Sequence, residues 1–362
     1  MSSTESELNQ LRNKIDSLDS EIIRLIQDRA KVGSEIGEIK KKTGDPIYRP
    51  DREKEVYKKV KSRNPGPLPD SVMVAIYREI MSGTIALEKS IQVGFMGPEG
   101  SFSHEATQKK FGSIVDSHAF PSITDVFREV ESGKLDYGTV PVENSTEGSV
   151  GSTLDNLIQA DLNVYSEMYM QISFHLLGFE QDLKKIKKVY GIRIGNEQCR
   201  GWIHANLPNV EIIETSSTAM AAKIVSEQKD GVAIASKSAG ELYGLDILYP
   251  SIEDIPGNTT RFFIIGKDIC PPTGNDKTSI VFSVPDQPGS LISALQIFQD
   301  YKLNLSKLES RPSRRTLWDY NFFTDFSGHI NDPKISEMLT KLKTTCQFIK
   351  ILGSYPSSPD KL

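Results

Sequence analysis

Ten residues spaced alternately three and four apart begin at Leu8: Leu8, Leu11, Ile15, Leu18, Ile22, Leu25, Arg29, Val32, Ile36 and Ile39. Nine are aliphatic and one is an arginine. That spacing is one seam of a long α-helix, and a charge inside an apolar seam is costly unless it is paired. Its partner is either a carboxylate of the protein or a ligand. Lys40 supports the ligand. It lies eleven residues on, about three turns away and within roughly 20° of the same face. Two cations on one side of an apolar helix suit a small anion. Arg12 is a third cation on the helix, but it lies ~42 Å from Lys40 at 1.5 Å per residue. It therefore reaches into a second copy of the chain or makes a surface ion pair. Arg52 and Glu53 are further polar candidates. Thr84 and Glu88 are one turn apart on a later helix and share a face.

A second set of candidates lies in Gly/Ser-rich turns between alternating strands and helices. These are Gly97-Pro98-Glu99-Gly100-Ser101-Phe102-Ser103, Glu143-Asn144-Ser145-Thr146-Glu147-Gly148-Ser149 and Thr215-Ser216-Ser217-Thr218. Each precedes a helical pattern, so its free backbone N–H groups can hold a carboxylate. One such turn is explained by helix capping alone; several in one block favour an anionic small molecule.

The elements that must position these residues fall into three blocks. Residues 5–89 read as helical throughout. The first helix stops near Thr43-Gly44-Asp45-Pro46, the second starts around Asp51, and the third follows Asp70. Residues 91–267 alternate strand and helix, with strands expected at 91–96, 137–142, 170–177, 187–192, 210–214, 231–236 and 260–266. Residues 268–277 read as a linker. Beyond it come strand 278–284, helix 288–300, strand 303–311, strand 316–325, helix 332–343 and strand 346–353. This βαββαβ order is a ferredoxin-like unit, with too few candidate catalytic groups for a third enzyme.

The 362 residues suffice for two or three domains, and 38% hydrophobic with 25% charged residues read as a soluble globular chain. A net charge of −5 gives no reason to expect a nucleic-acid partner. The three cysteines Cys199, Cys270 and Cys346 are far apart, which fits a reducing compartment and no disulfide framework. Five scattered histidines have no metal-ligand spacing. No secretory signal or membrane-length apolar run is present, so a cytoplasmic location is expected.

Residues 5–90 resemble the all-helical chorismate mutase family. The matching residues are Leu11-Arg12-Asn13-Lys14-Ile15-Asp16, Asp28-Arg29, Lys40, Arg49-Pro50-Asp51-Arg52-Glu53 and Arg78-Glu79-Ile80-Met81-Ser82. The resemblance implies that Arg12, from across a dimer, and Arg29 bind the two substrate carboxylates. It gives Lys40 and Glu88 the ether oxygen, and makes Arg52, Glu53 and Thr84 pocket residues. The implied reaction is the Claisen rearrangement of chorismate to prephenate, which needs no cofactor. Many relatives have glutamine where this chain has Glu88. A carboxylate cannot donate a hydrogen bond, whereas a carboxylic acid can, so a protonated Glu88 is expected.

Residues 91–267 resemble prephenate dehydratase. The matching motifs are the 97–103 turn, Val140-Pro141-Val142-Glu143-Asn144-Ser145, Gln198-Cys199-Arg200, Ser217-Thr218-Ala219 and Asn258-Thr259-Thr260-Arg261-Phe262. The implied fold is two α/β lobes around a cleft, similar to periplasmic binding proteins. The implied chemistry is loss of water and carbon dioxide from prephenate, giving phenylpyruvate. Thr260 would sit near the leaving hydroxyl and Arg261 would hold a carboxylate. Asn144 and Gln198 would orient the substrate, and Ser101 and Thr218 would supply donors. Glu143 is either a further acid or a structural partner. His104 and His175 read as satisfied structural histidines. Gly191 stands where the family usually has a serine, with Asn196 nearby as a possible substitute.

Residues 278–354 resemble the ACT domain. Gly289, Ser290 and Leu291 open its first helix, and Glu309-Ser310-Arg311-Pro312 ends its second strand. The resemblance implies phenylalanine as effector at an interface between two ACT domains. The resulting expectation is a multidomain chain: a mutase over 1–90, a dehydratase over 91–267 and a regulatory ACT domain over 278–357. It is expected to work as a homodimer or homotetramer, with chorismate and prephenate as substrates and no metal or cofactor. A non-catalytic binding protein and a dehydratase acting on arogenate are the alternatives.

Overall fold

The computed structural model describes residues 3–313 and 320–358. Three helices come first: α1 (Ser3–Thr43), α2 (Pro50–Arg63) and α3 (Asp70–Glu88). The boundaries match the sequence signals: α1 ends before Gly44, which has φ +75°, and Pro50 opens α2. The chain divides into two compact units, one built on α1, α3 and α2 from Glu55 on, the other holding the first turn of α2 (Pro50–Lys54), where Glu53 lies, and most of the remaining blocks.

Within the helical unit α1 packs on α3 through small residues. A Cβ on Gly33 would overlap Thr84, and one on Gly37 would overlap Glu88, so both glycines allow close helix approach. The apolar seam does not make this contact. Leu11, Ile15, Leu18, Ile22, Leu25, Val32, Ile36 and Ile39 are all about half exposed or more in the single chain. Arg29 is turned toward α3 rather than lying with the exposed seam.

The α/β block runs β1 (Gln92–Met96), α4 (Phe102–Phe111), β2 (Asp116–Phe120), α5 (Ile123–Glu131), β3 (Tyr137–Asn144), β4 (Gly148–Ser149), α6 (Gly151–Gln159) and β5 (Asn163–Gln171). It continues with β6 (His175–Gly178), β7 (Lys188–Gly191), α7 (Arg193–Gln198), α8 (Arg200–Asn206), β8 (Glu211–Glu214), α9 (Thr218–Gln228), β9 (Val232–Ala235), α10 (Lys237–Tyr243), β10 (Asp246–Tyr249) and β11 (Thr259–Gly266). Two sheets result. The first has the order β2-β1-β3-β11-β5, with β4 paired to β3; the second has the order β10-β6-β9-β7-β8. Each is the centre of one lobe. The chain crosses from the first lobe to the second between β5 and β6, and returns before β11. The backbones of the two crossings pair where Ile172 N–H donates to Asn258 O at 2.7 Å.

The strand expected over 170–177 is therefore two strands in different lobes. A continuous apolar run hides the break, because Ile172 and Phe174 are buried at the crossing. Strands β2, β4 and β10 and residues 163–169 of β5 were not expected. β2 and β10 are edge strands with mostly exposed or half-exposed residues, so their pattern lacks a core signature, and β4 has only two residues; β5 is mostly buried and was missed.

The last block is β12 (Asp276–Ser283), α11 (Ser290–Asp300), β13 (Leu305–Pro312), β14 (Tyr320–Ser327), α12 (Pro333–Thr345) and β15 (Phe348–Pro356), with antiparallel sheet order β13-β14-β12-β15. The first residues of the strand expected at 316–325 lie outside the described residues. One apolar core joins this sheet to the first lobe: Val164, Phe263 and Ile265 cluster with Val281, Phe323, Leu352 and Tyr355. Gly353 (φ +157°) allows the approach, since a Cβ there would overlap the Val164 backbone. The expected linker also ends early, because Asp276 and Lys277 are buried members of β12.

Candidate active sites

In the helical unit Arg29, Lys40, Thr84 and Glu88 come together. Arg29 Nη1 donates to Thr84 Oγ1 at 3.1 Å, and Thr84 Oγ1 donates to Ile80 O at 2.8 Å. Lys40 Nζ donates to Ile47 O at 2.9 Å. Among the described residues no carboxylate pairs with Arg29 or Lys40, although acids on α1 pair readily with Arg24, Lys31 and Lys41. Both cations are held by neutral oxygen atoms and keep donors to spare.

Glu88 Oε2 is buried with no hydrogen-bond partner. Burial pushes its carboxyl above the usual carboxylate range, against the opposing pull of Lys40 and Lys41. Arg12 lies on the exposed N-terminal half of α1 and is not brought to this cluster. Arg52 and Glu53 occupy the first turn of α2. Glu53 is buried and ion-paired with Lys110 at 2.8 Å.

In the α/β block a hydrogen-bonded polar cluster is built on β3, β11 with the residue before it, and the end of α7. Asn144 closes a tight turn: its Oδ1 accepts from the N–H of Thr146 at 3.0 Å and of Glu147 at 3.1 Å. The 143–149 segment is therefore a β3–β4 hairpin turn, not the helix-start anion site its composition suggests. With Oδ1 committed, Asn144 Nδ2 must donate. It does so to Thr260 Oγ1 and to Asn258 Oδ1, both at 2.8 Å. Gln198 Oε1 accepts from Asn258 Nδ2 at 2.9 Å. Thr260 thus accepts one hydrogen bond and retains its own proton to donate.

Ser101 and Thr218 open α4 and α9. Ser101 spends its hydroxyl on Met96 O and the His104 N–H, and its backbone N–H donates to Pro98 O at 3.1 Å. Thr218 is buried at the first turn of α9, capped by Ser217. His104 and His175 accept backbone N–H bonds from Gly100 and Ser251, and burial lowers the pKa of both. Both rings therefore have hydrogen-bond partners. At Gly191 a Cβ would overlap Asn196 Oδ1, so the Asn196 amide fills the space that a side chain there would occupy.

Arg261 is not brought to Thr260. Neighbours along a strand point to opposite faces, and Arg261 points toward the C-terminal sheet. Its guanidinium meets Glu167 at 2.7 Å, Asp325 at 2.5 Å and the Tyr355 hydroxyl at 3.0 Å. Lys277 holds the other Glu167 oxygen at 2.8 Å. Glu143 shares this side, pairing with Lys307 at 3.0 Å, which is its structural reading. A cavity of about 320 Å³ here is lined by Glu143, Tyr169, Arg261, Lys277, Lys307 and Asp325.

In the last block Gly289 adopts φ +86° as the N-cap of α11, ahead of Ser290 and Leu291. Glu309 bonds Ser149, and Arg311 reaches Asp155 at 3.4 Å. Among the described residues no hydrogen bond joins the Gly289–Leu291 turn to Glu309, Ser310 or Arg311.

Among the described residues no grouping of His, Cys, Asp and Glu could hold a metal, and no helix is long and apolar enough to cross a membrane. Helical cations, a two-lobed α/β block and a βαββαβ tail define a multidomain enzyme. Family models match in the same order: chorismate mutase type II over residues 11–89, prephenate dehydratase over 93–269 and the ACT domain over 278–343. The bifunctional chorismate mutase/prephenate dehydratase of Aquifex aeolicus is 44% identical over 97% of this chain and 98% of its own length. That of Stutzerimonas stutzeri is 43% identical over 97% and 98%. The prephenate dehydratase of Arthrobacter aurescens, solved in complex with L-Phe, superposes with a TM-score of 0.69 at 31% identity, covering 74% of this chain and 90% of that one. The chain belongs to the bifunctional chorismate mutase/prephenate dehydratase family.

Asn258 is the cluster member that the sequence reading left without a role. The signal was present, because it lies two residues before Thr260 and shares its face of an extended segment.

Proposed function

We propose that the two reactions run at separate sites, the mutase on α1 and α3 and the dehydratase at Asn144, Gln198 and Thr260, with boundaries near 1–90, 91–267 and 278–357. In the mutase, Arg29 holds one carboxylate of chorismate and Arg12 of a second copy holds the other. Lys40 and protonated Glu88 donate to the ether oxygen, where negative charge grows as the C–O bond breaks. Binding the compact conformer supplies the rest. The exposed seam of α1 is the surface on which a homodimer, alone or within a homotetramer, would form.

In the dehydratase, the bond to the ring carboxylate of prephenate breaks and its electron pair enters the ring. The 4-hydroxyl leaves as water, and carbon dioxide departs. The observation that carries this reading is the Asn144–Thr260 hydrogen bond. Because Asn144 must donate, the Thr260 proton is free for the leaving hydroxyl. Thr260 then orients or relays a proton. Arg261 is outside this role, since its partners are two acids and a tyrosine. Phenylalanine is the effector we assign to the ACT block, at Gly289–Leu291 with Glu309–Arg311, and the Arthrobacter aurescens enzyme solved with L-Phe supports this. The enzyme acts in the cytoplasm.

Coupled turnover of chorismate, followed by ultraviolet absorbance, tests the division. Thr260→Ala should accumulate prephenate, whereas Arg29→Ala should spare only the conversion of added prephenate. Loss of both activities in either variant would contradict two separate sites.

A further inference from the structure

We propose that Asn258 is a positioning residue of the dehydratase that fixes which end of the Gln198 amide is offered to substrate. The proposal rests on reading Thr260, Asn144 and Gln198 as the dehydratase site. Two backbone N–H groups and three side-chain amides form a chain with one possible direction. The N–H groups of Thr146 and Glu147 fill Asn144 Oδ1, so Asn144 Nδ2 donates to Asn258 Oδ1. Asn258 Oδ1 also accepts from Ser145 Oγ at 3.4 Å, which leaves its Nδ2 to donate to Gln198 Oε1. Gln198 is left with Nε2 as its donor end, one N–H of which goes to Glu147 Oε1 at 3.5 Å while the other remains for substrate.

This direction suits the substrate. Prephenate carries two carboxylates and a ketone, so an NH₂ group aimed at it binds and a carbonyl repels. Without Asn258 the Gln198 amide is oriented only by its long bond to Glu147 and can turn over more readily. Asn258 is 6% exposed, so it acts through its neighbours rather than on substrate. It also joins Asn144 of the first lobe to Gln198 of the second, which couples lobe position to donor orientation. Thr260 keeps its own bond to Asn144 whether or not Asn258 is present, so the effect should fall on binding rather than on chemistry.

The test is dehydratase kinetics of the full-length chain with Asn258→Leu and Asn258→Asp, alone and with Gln198→Ala. Asn258→Asp keeps the acceptor for Asn144 and loses the donor for Gln198, and it carries the test if the leucine variant does not fold. Either change should raise the prephenate KM about tenfold and leave kcat within about threefold, as loss of uniform binding does. In the Gln198→Ala background Asn258→Leu should add less than about threefold, because the two act as one unit. Mutase activity of the same preparation should stay at the wild-type level. An unchanged KM, a loss confined to kcat, or an undiminished effect in the Gln198→Ala background would overturn the proposal. If Thr260→Ala left dehydration intact, the underlying reading of the site would fail instead.

Discussion

Arg261→Ala separates a structural hub from a substrate anchor. The guanidinium is 4% exposed and lies between Glu167, whose side chain is 0% exposed, and Asp325, whose side chain is 5% exposed. Its removal leaves Asp325 with Ser279 as its remaining side-chain partner and Glu167 with Lys277 and a backbone N–H from Ser358. Breaking a buried pair by deleting one partner costs about 3–5 kcal/mol. At about 2–4 °C per kcal/mol for a body of this size, the melting temperature should fall by roughly 6–20 °C. The loss belongs to the core shared by the first lobe and the ACT sheet, so calorimetry of the full chain should show it in the transition of that unit. Prephenate KM measured below the melt should change little. A melting temperature within about 2 °C of wild type, together with a KM raised about tenfold, would refute this. The guanidinium would then leave its acids to meet substrate.

Mutase activity should fall as pH rises through the raised pKa of Glu88, because only the acid form donates; the loss approaches about tenfold per pH unit above that pKa. Glu88→Gln should flatten the profile, and a flat wild-type profile through neutral pH would exclude a protonated Glu88. At Gly191 the space is already taken by Asn196, so Gly191→Ser should lower dehydratase kcat/KM more alone than when combined with Asn196→Ala. Additive losses in that pair would show that the two positions do not share the space.

Much of the architecture was legible because periodic burial and terminator residues write it directly. The three helices stop at Gly44, before Asn64-Pro65 and at Lys89, and the βαββαβ order follows from alternation of period. The lobe crossing at 172–174 was not legible, since a buried crossing carries the same apolar run as a strand. Arg261 shows the limit for the site. A motif places Thr260 and Arg261 side by side, but the pleat sends them to opposite faces, and the acids that neutralise Arg261 lie 94 and 64 residues away in the chain. Arg29 differs, because among the described residues no carboxylate pairs with it. The choice between a protein carboxylate and a ligand is narrowed by its partner, the Thr84 hydroxyl.

The mutase account depends on cations from two copies of α1 meeting one substrate dianion. Mixing Arg12→Ala and Arg29→Ala chains after separate purification tests this directly. Each variant alone should be nearly inactive as a mutase. In an equilibrated equal mixture half the dimers are mixed and each carries one intact pocket, so about a quarter of wild-type mutase activity should return. No recovery after verified subunit exchange, or full activity of Arg12→Ala on its own, would contradict a pocket shared between two copies.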